Sequence, residues 1–379
     1  LGLMTFSTPY DWSRVQQYRD AAAQFGDVLD FSVGSPVDEV PQSVRLALSA
    51  AANDGNAHGY PATIGTEALR EAVRQWFLTV RGVDLSGIGA SVVPTVGSKE
   101  AVALMAALLH CGEGDVVVQP RVSYPTYEIG TQISGAAVVK VDDVADVDSW
   151  VNVPGVRAIW VNSPSNPTGR VLTSEQLRGI VRAARSIGAV VLSDECYARM
   201  DWRGSADSES SPKTTPCILD DDVCGGNAES VLCLYSLSKQ SNMAGYRTAL
   251  IAGDERLVSA MTRYRKQIGL IIPGPVQAAM TAALGDGESV LDQIGRYRAR
   301  LHSLTKALSA YGYDARMPEG GLYIWVRALG DDCWDDMHNL AALGIVPSPG
   351  EFYGDWHFLR FSVTASDESI AAAAERLSA

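Results

Sequence analysis

Between about residues 65 and 253 the chain alternates helical periodicity with short runs rich in β-branched residues. That alternation is the pattern of a sheet covered by helices on both faces. The runs at 91–94, 116–119, 136–141, 158–162, 189–193, 231–235 and 248–252 are mostly continuous in apolar residues, which predicts strands buried on both faces. Amphipathic helices are predicted between them. Thr66 is placed to cap one whose Leu69, Val73, Trp76, Phe77 and Val80 share a face, and Thr173 to cap another that runs to Ile187. After Pro273 a long helical stretch reaches Tyr311, followed by strand-like segments at 323–326 and 358–363 and a last helix from Asp367. This predicts a second, smaller α+β domain. The expected organisation is an N-terminal segment, residues 1–45, joining the small domain, a large domain over 46–275, and the small C-terminal domain over 276–379. The stretch 203–229, rich in Ser, Asp, Gly and Pro, is expected to form a long, partly mobile loop.

Composition narrows the function. With 379 residues, 46% hydrophobic and 20% charged, the chain can bury a sizeable core. A formal net charge of -13 argues against a surface that neutralises nucleic-acid phosphates or anionic lipid, so an anionic ligand must be held by a local cationic pocket. No apolar run is long enough to span a bilayer and no secretory pattern is seen; a cytoplasmic location is expected, with no nucleic-acid or membrane partner. The six cysteines form no C-x-x-C pair and read as buried free thiols. Five scattered histidines without H-E-x-x-H give no sequence-local metal site.

Four segments carry candidate chemistry, each directly after a predicted strand. Lys239, one of only six lysines, stands in Ser236-Leu237-Ser238-Lys239 with Arg247 eight residues on. A lysine that forms an imine must be desolvated enough to lose its proton near neutral pH, and two hydroxyls and a guanidinium around it suit a phosphate. Taken alone, the segment reads equally as a surface lysine in a Ser-rich turn. Asp194-Glu195-Cys196-Tyr197 puts a carboxylate at a strand's carboxyl end, facing the crevice where open α/β sheets bind ligands. Asp194 could hold a pyridine nitrogen protonated and Tyr197 could donate to a ring oxygen; a helix-capping aspartate is the commoner fate. In Ser163-Pro164-Ser165-Asn166-Pro167-Thr168-Gly169 two prolines and a glycine restrict the backbone and aim Asn166, though such loops are often only tight turns. Gly97, Ser98 and Lys99 open a predicted helix from Glu100 to His110, leaving free N–H groups for a phosphate. The full Walker pattern and G-x-G-x-x-G are both missing, which disfavours a nucleotide. Tyr124 could stack on a flat ring or be ordinary core.

In order and spacing, these segments resemble the fold-type I, class I/II aminotransferases, which depend on pyridoxal 5'-phosphate, over essentially the whole chain. The resemblance implies a mostly parallel seven-stranded sheet in a large domain plus a smaller α+β domain. It implies that Lys239 carries the cofactor as a Schiff base, that Asp194 pairs with the pyridinium nitrogen, and that Tyr197 and Asn166 bond the ring oxygen. Gly97, Ser98, Lys99, Ser236, Ser238 and Arg247 match the phosphate cup, and Tyr124 the stacking residue. Tyr60, in Gly59-Tyr60-Pro61, matches a tyrosine reaching the neighbouring subunit's phosphate, which implies a homodimer with shared sites. Arg360, in Leu359-Arg360-Phe361-Ser362, matches the arginine that binds the substrate α-carboxylate, and Gly34 a small residue lining that pocket. A finer resemblance, carried by Tyr124-Pro125-Thr126-Tyr127-Glu128, Ser193-Asp194-Glu195-Cys196-Tyr197 and Pro349-Gly350 with Phe352-Tyr353-Gly354, is to bacterial N-succinyldiaminopimelate aminotransferases of lysine biosynthesis. It implies glutamate and 2-oxoglutarate as the small substrates. Gln240 departs from the basic residue expected there. Rival readings are another aminotransferase of this fold, a carbon-sulfur β-lyase using nearly the same residues, and a non-enzymatic cofactor-binding regulator.

Overall fold

The computed structural model of the chain describes residues 11–204 and 214–378. The chain begins with α1 (Ser13–Phe25), β1 (Leu29–Asp30), α2 (Gln42–Ala52) and α3 (Glu67–Trp76). There follow β2 (Ala90–Val96), α4 (Gly97–Leu108), β3 (Val116–Pro120), α5 (Thr126–Ser134), β4 (Ala137–Val141) and β5 (Val156–Asn162). Next come α6 (Ser174–Ser186), β6 (Val190–Asp194), α7 (Asp221–Cys224), β7 (Val231–Ser236), β8 (Thr248–Asp254), α8 (Glu255–Gln267) and α9 (Gly274–Gly285). The last part holds α10 (Gly287–Tyr311), β9 (Tyr323–Arg327), α11 (Cys333–Ala341), β10 (Ile345–Val346), β11 (Ser348–Pro349), β12 (Phe358–Ser362) and α12 (Asp367–Ser378).

All seven apolar runs form strands of one sheet, in the order β2-β8-β7-β6-β5-β3-β4. Strands β3 to β7 run parallel, and β8 lies antiparallel to both of its neighbours. Alternate residues enter different cores because a strand's side chains point to opposite faces. Val117, Trp160, Leu192 and Leu234 pack with Met105, Tyr127 and Met261 on one side. Val118, Ile159, Val191 and Tyr235 pack with Trp76, Leu177 and Met280 on the other. The caps predicted at Thr66 and Thr173 form: Thr66 accepts from Leu69 N, and Thr173 makes a reciprocal capping box with Gln176.

A second sheet, ordered β11-β12-β9, is antiparallel. Its core joins Leu301 and Leu304 of α10 to Ile324, Leu340, Phe361 and Ile370. The N-terminal stretch adds Val15 and Phe31 to this core, and β1 pairs in parallel with β10, Leu29 level with Ile345. Among the described residues no helix is long and apolar enough to cross a membrane.

The long loop expected over 203–229 is corrected by the structure from Thr214 onward, and residues 205–213 lie outside the described residues. Thr215 N donates to Ala198 O (3.0 Å), Cys217, Ile218 and Leu219 are buried, and α7 follows. The reason is an apolar Cys217-Ile218-Leu219 run, hidden in a polar stretch, that finds a buried partner: Ile218 N donates to Glu195 Oε1 (2.8 Å). Glu195 also accepts from Ser193 Oγ (2.9 Å) and forms a fully buried ion pair with Arg81 Nη2 (2.8 Å). Glu195 lies close to the thiols of Cys217 and Cys233 in an arrangement that could hold a metal. Its oxygens already accept from three protein donors, so the group reads as structural.

Arg81→Met should destabilise the protein by about 3–5 kcal/mol, because it strands a buried carboxylate, as read from the midpoint of urea unfolding. A loss below about 1 kcal/mol, the scale of an exposed pair, would mean that Glu195 is not buried as an anion.

Candidate active site

The carboxyl ends of the parallel strands converge on one cavity of about 390 Å³. Register explains the convergence: Asn162 is level with Asp194, and Asp194 with Leu234. Of the residues singled out in the sequence, Gly34, Ser98, Lys99, Tyr124, Asn166, Asp194, Tyr197, Ser236, Ser238, Lys239, Arg247 and Arg360 line it. Gly97 and Tyr60 do not. Gly97 lies beneath Arg247 with φ +74°, and a Cβ there would collide with the Arg247 guanidinium, so glycine lets that cation lie over the start of α4. Tyr60 is 97% exposed on the surface of its own chain.

Lys239 follows β7 in a turn held by Leu237 N to Thr248 O (3.1 Å), Ser238 N to Ser236 Oγ (3.1 Å) and Tyr297 Oη to Lys239 O (2.9 Å). Its Nζ donates to Gly34 O. Burial, then repulsion by Arg360 and Arg247, brings the ammonium down to about 8. The departure at Gln240 is accommodated by burial: its Oε1 accepts from Tyr235 Oη (2.5 Å).

Asp194 is buried and accepts from Tyr127 Oη (2.7 Å) and Cys196 N (3.2 Å). Burial pushes its carboxyl above the usual range, against the pull of those donors. No cation among the described residues pairs with it, so a protonated ring nitrogen would meet an unfilled electrostatic need. The Cys196 thiol is pushed well up by burial and by Asp194, which leaves it a poor nucleophile.

Arg360 enters from β12 and spans the cavity between two aromatic faces, 4.1 Å from the Tyr323 ring centroid and 4.5 Å from that of Tyr353. Nη1 donates to Asn166 Oδ1 (2.9 Å) and Nη2 to Ser32 O (2.8 Å), while the buried Nε has no partner. Asn166 thus spends its carbonyl on Arg360, leaving its amide N–H groups for an oxygen acceptor. The Tyr197 hydroxyl is 2.7 Å from that of Tyr323, and burial and this neighbour keep its phenol well above the ordinary range. Tyr124 meets Tyr127 edge to face at 5.7 Å.

Tyr127, Tyr323, Tyr353 and Ser32 escaped the sequence reading as site residues. Tyr127 left a signal, standing three residues after Tyr124, whose ring it meets edge to face at the start of α5. The others reach the cavity from β9, from the turn after β11 and from the chain after β1, and no local pattern announces that. A buried carboxylate without a cation, a lysine of lowered basicity, an unpartnered Arg360 Nε and a helix start with no side-chain cap fit pyridoxal phosphate.

A mostly parallel seven-stranded sheet with a lysine, an aspartate and a phosphate-ready helix start at its carboxyl edge defines the fold-type I pyridoxal-phosphate enzymes. The family described as aminotransferase class I and II matches residues 26–377, and the chain belongs to that family of pyridoxal-phosphate-dependent transaminases. Over 371 residues it is 41% identical to the 4-dedimethylamino-4-oxo-anhydrotetracycline transaminase OxyQ of Streptomyces rimosus, covering 97% of this chain and 98% of that one. A probable aminotransferase of Mycobacterium tuberculosis is 38% identical over 97% of this chain and 84% of its own. The structure of a probable N-succinyldiaminopimelate aminotransferase from Thermus thermophilus matches with a TM-score of 0.83 at 25% identity, over 97% of this chain and 99% of that one.

Only the neutral amine adds to an aldehyde, and the neutral fraction of Lys239 grows as pH rises through its lowered value. Capture of pyridoxal phosphate by the apoenzyme, followed by absorbance, should therefore increase through a midpoint of about 8. A midpoint at the ordinary value of roughly 10.4 would place the amine in water.

Proposed function

We propose that this aminotransferase exchanges an amino group between N-succinyl-LL-2,6-diaminopimelate and the glutamate/2-oxoglutarate pair in lysine and diaminopimelate biosynthesis. It would work in the cytoplasm as a homodimer with shared sites. The observation that carries the amino-acid reading is Arg360: a buried guanidinium, clamped between two rings, with an unused Nε–H in a cavity that also holds Lys239. Such a group suits a carboxylate through planar, paired hydrogen bonds. The succinyl-diaminopimelate reading is supported by the sequence strings around Tyr124, Asp194 and Gly350 and by the likeness to the Thermus thermophilus protein. The exposure of Tyr60 (97%) beside Ile64 (42%) supports a second copy covering that surface.

In this reading Asp194 holds the ring nitrogen, and Tyr197 and the Asn166 amide donate to the ring oxygen. The α4 start at Ser98 and Lys99, with Ser236, Ser238 and Arg247, holds the phosphate, joined by Tyr60 of the partner subunit, and Tyr124 covers a ring face. Pyridoxal phosphate bound there supplies an electron sink for the charge left on the substrate's α-carbon. Arg360 orients the α-carboxylate, and with it the α-hydrogen, toward Lys239. Lys239 Nζ, whose proton burial and two nearby guanidinium groups make easier to lose, takes that proton when neutral and later returns it.

A second reading has its own support. Trp12, Tyr124, Tyr323, Phe352 and Tyr353 line the cavity with aromatic rings, and OxyQ is named for a ring-system ketone. A bulky cyclic ketone as amino acceptor is that alternative.

With 2-oxoglutarate as acceptor, N-succinyl-LL-diaminopimelate should give a kcat/KM well above that of aspartate, histidinol phosphate, aromatic amino acids or unsuccinylated diaminopimelate. A clear preference for one of those donors, or for glutamate with a polycyclic ketone, would overturn the lysine-pathway reading and leave the transaminase intact. Arg360→Lys should lower kcat/KM for all amino-acid donors alike by roughly 10- to 100-fold, because a point charge replaces a planar fork. A loss confined to one donor would move Arg360 to a side-chain group.

A further inference from the structure

Tyr323 links parts of the site that are far apart in the chain. It opens β9 in the small sheet, whereas Tyr197 follows β6 of the large one. Their hydroxyls meet at 2.7 Å, buried, with the rings edge to face at 5.6 Å. The Tyr323 ring also carries the Arg360 guanidinium on its face at 4.1 Å. A Cβ on Gly34 would lie 2.5 Å from the Tyr323 hydroxyl, and the Gly34 carbonyl is the acceptor for Lys239 Nζ. One side chain therefore presents a ring to the α-carboxylate arginine, and a hydroxyl to Tyr197 and to the backbone that receives the lysine.

We propose that Tyr323 is a positioning residue with two separable parts: its ring holds Arg360, and its hydroxyl donates to Tyr197 Oη and thereby strengthens Tyr197 as a donor to the cofactor's ring oxygen. This rests on the assignment of Lys239 and Tyr197 to the cofactor made under Proposed function. A phenol has one proton to give. When Tyr197 gives its proton to the ring oxygen, the bond between the two phenols is made with the proton of Tyr323. A hydroxyl that accepts one hydrogen bond is polarised and donates the next more strongly. A stronger donor on the ring oxygen competes with the protonated nitrogen that links Lys239 to the cofactor, so it favours loss of that nitrogen's proton.

The test is Tyr323→Phe in the holoenzyme, which keeps the ring and removes the hydroxyl. The charged and titratable groups facing Lys239 and Tyr197 are Arg360, Arg247, Cys196 and Tyr323, with Asp194 beside Cys196. The substitution leaves the charge of all the others unchanged. The pH midpoint of the cofactor's absorbance change should rise by about 0.5–1 unit, the scale of one hydrogen bond. KM for amino donors should stay within about twofold, because the ring contact with the guanidinium remains. Tyr323→Leu should show the same spectral shift together with a KM raised roughly 5- to 30-fold for every amino donor, since the ring is lost as well. Gly34→Ala, which displaces the hydroxyl without altering Tyr323, should reproduce the spectral shift and serves as the deciding measurement if the Tyr323 variants do not fold. An unchanged midpoint, or a KM in Tyr323→Phe raised as far as in Tyr323→Leu, overturns the inference. Absorbance that does not depend on Lys239 overturns the cofactor assignment instead, so the two failures are distinguishable.

Discussion

The alignment of β5, β6 and β7 is the constraint on which the site rests. Their parallel register brings Asn162, Asp194 and the Ser236–Lys239 turn to one edge of the sheet, and helical crossovers leave that edge open as a crevice. A slip of one residue in β6 would turn Asp194 to the opposite face of the sheet. The neighbour of Asp194 resists such a slip: Glu195 is locked on the far side to Arg81, Ser193 and Ile218. One strand end thus carries two buried carboxylates in succession, the first turned to the cavity and the second anchoring it.

Charge is organised against the bulk of the molecule. The chain is acidic, with a formal net charge of -13, yet Lys99, Lys239, Arg247 and Arg360 all line the cavity. Burial among nearby cations makes the lysine give up its proton more readily, while burial makes the aspartate hold a proton more tightly. Both perturbations come mainly from desolvation. A ligand that brings a phosphate, a carboxylate and a ring cation would relieve both, so binding and folding stability are linked in this protein.

The small sheet supplies the other half of the site. Arg360 and Tyr323 lie on adjacent antiparallel strands, β12 and β9, and Tyr353 precedes β12. Ser32 and Gly34 come from the chain after β1, which is itself paired with β10. Arg360 bonds to Asn166 of the loop after β5 and to Ser32 at once. A guanidinium held by hydrogen bonds to two distant chain segments and by two ring faces loses little further freedom when it meets a carboxylate.

The sequence by itself determined the seven strands, because buried parallel strands need unbroken apolar runs, and the caps at Thr66 and Thr173, because capping is a contact within four residues. It also determined the segments that carry Lys239, Asp194, Asn166 and Ser98, since each sits directly after a strand, where short-range pattern and position coincide. Tertiary structure alone decided that Glu195 is a buried anchor, that residues 214–224 pack rather than loop, and that Gln240 is buried against Tyr235. It also decided that Tyr323, Tyr353 and Tyr127 surround the arginine and the aspartate. These outcomes depend on contacts between residues as many as 328 positions apart, such as Ser32 with Arg360. Local periodicity reports which face of an element is buried; it carries no information about which distant element arrives to bury it.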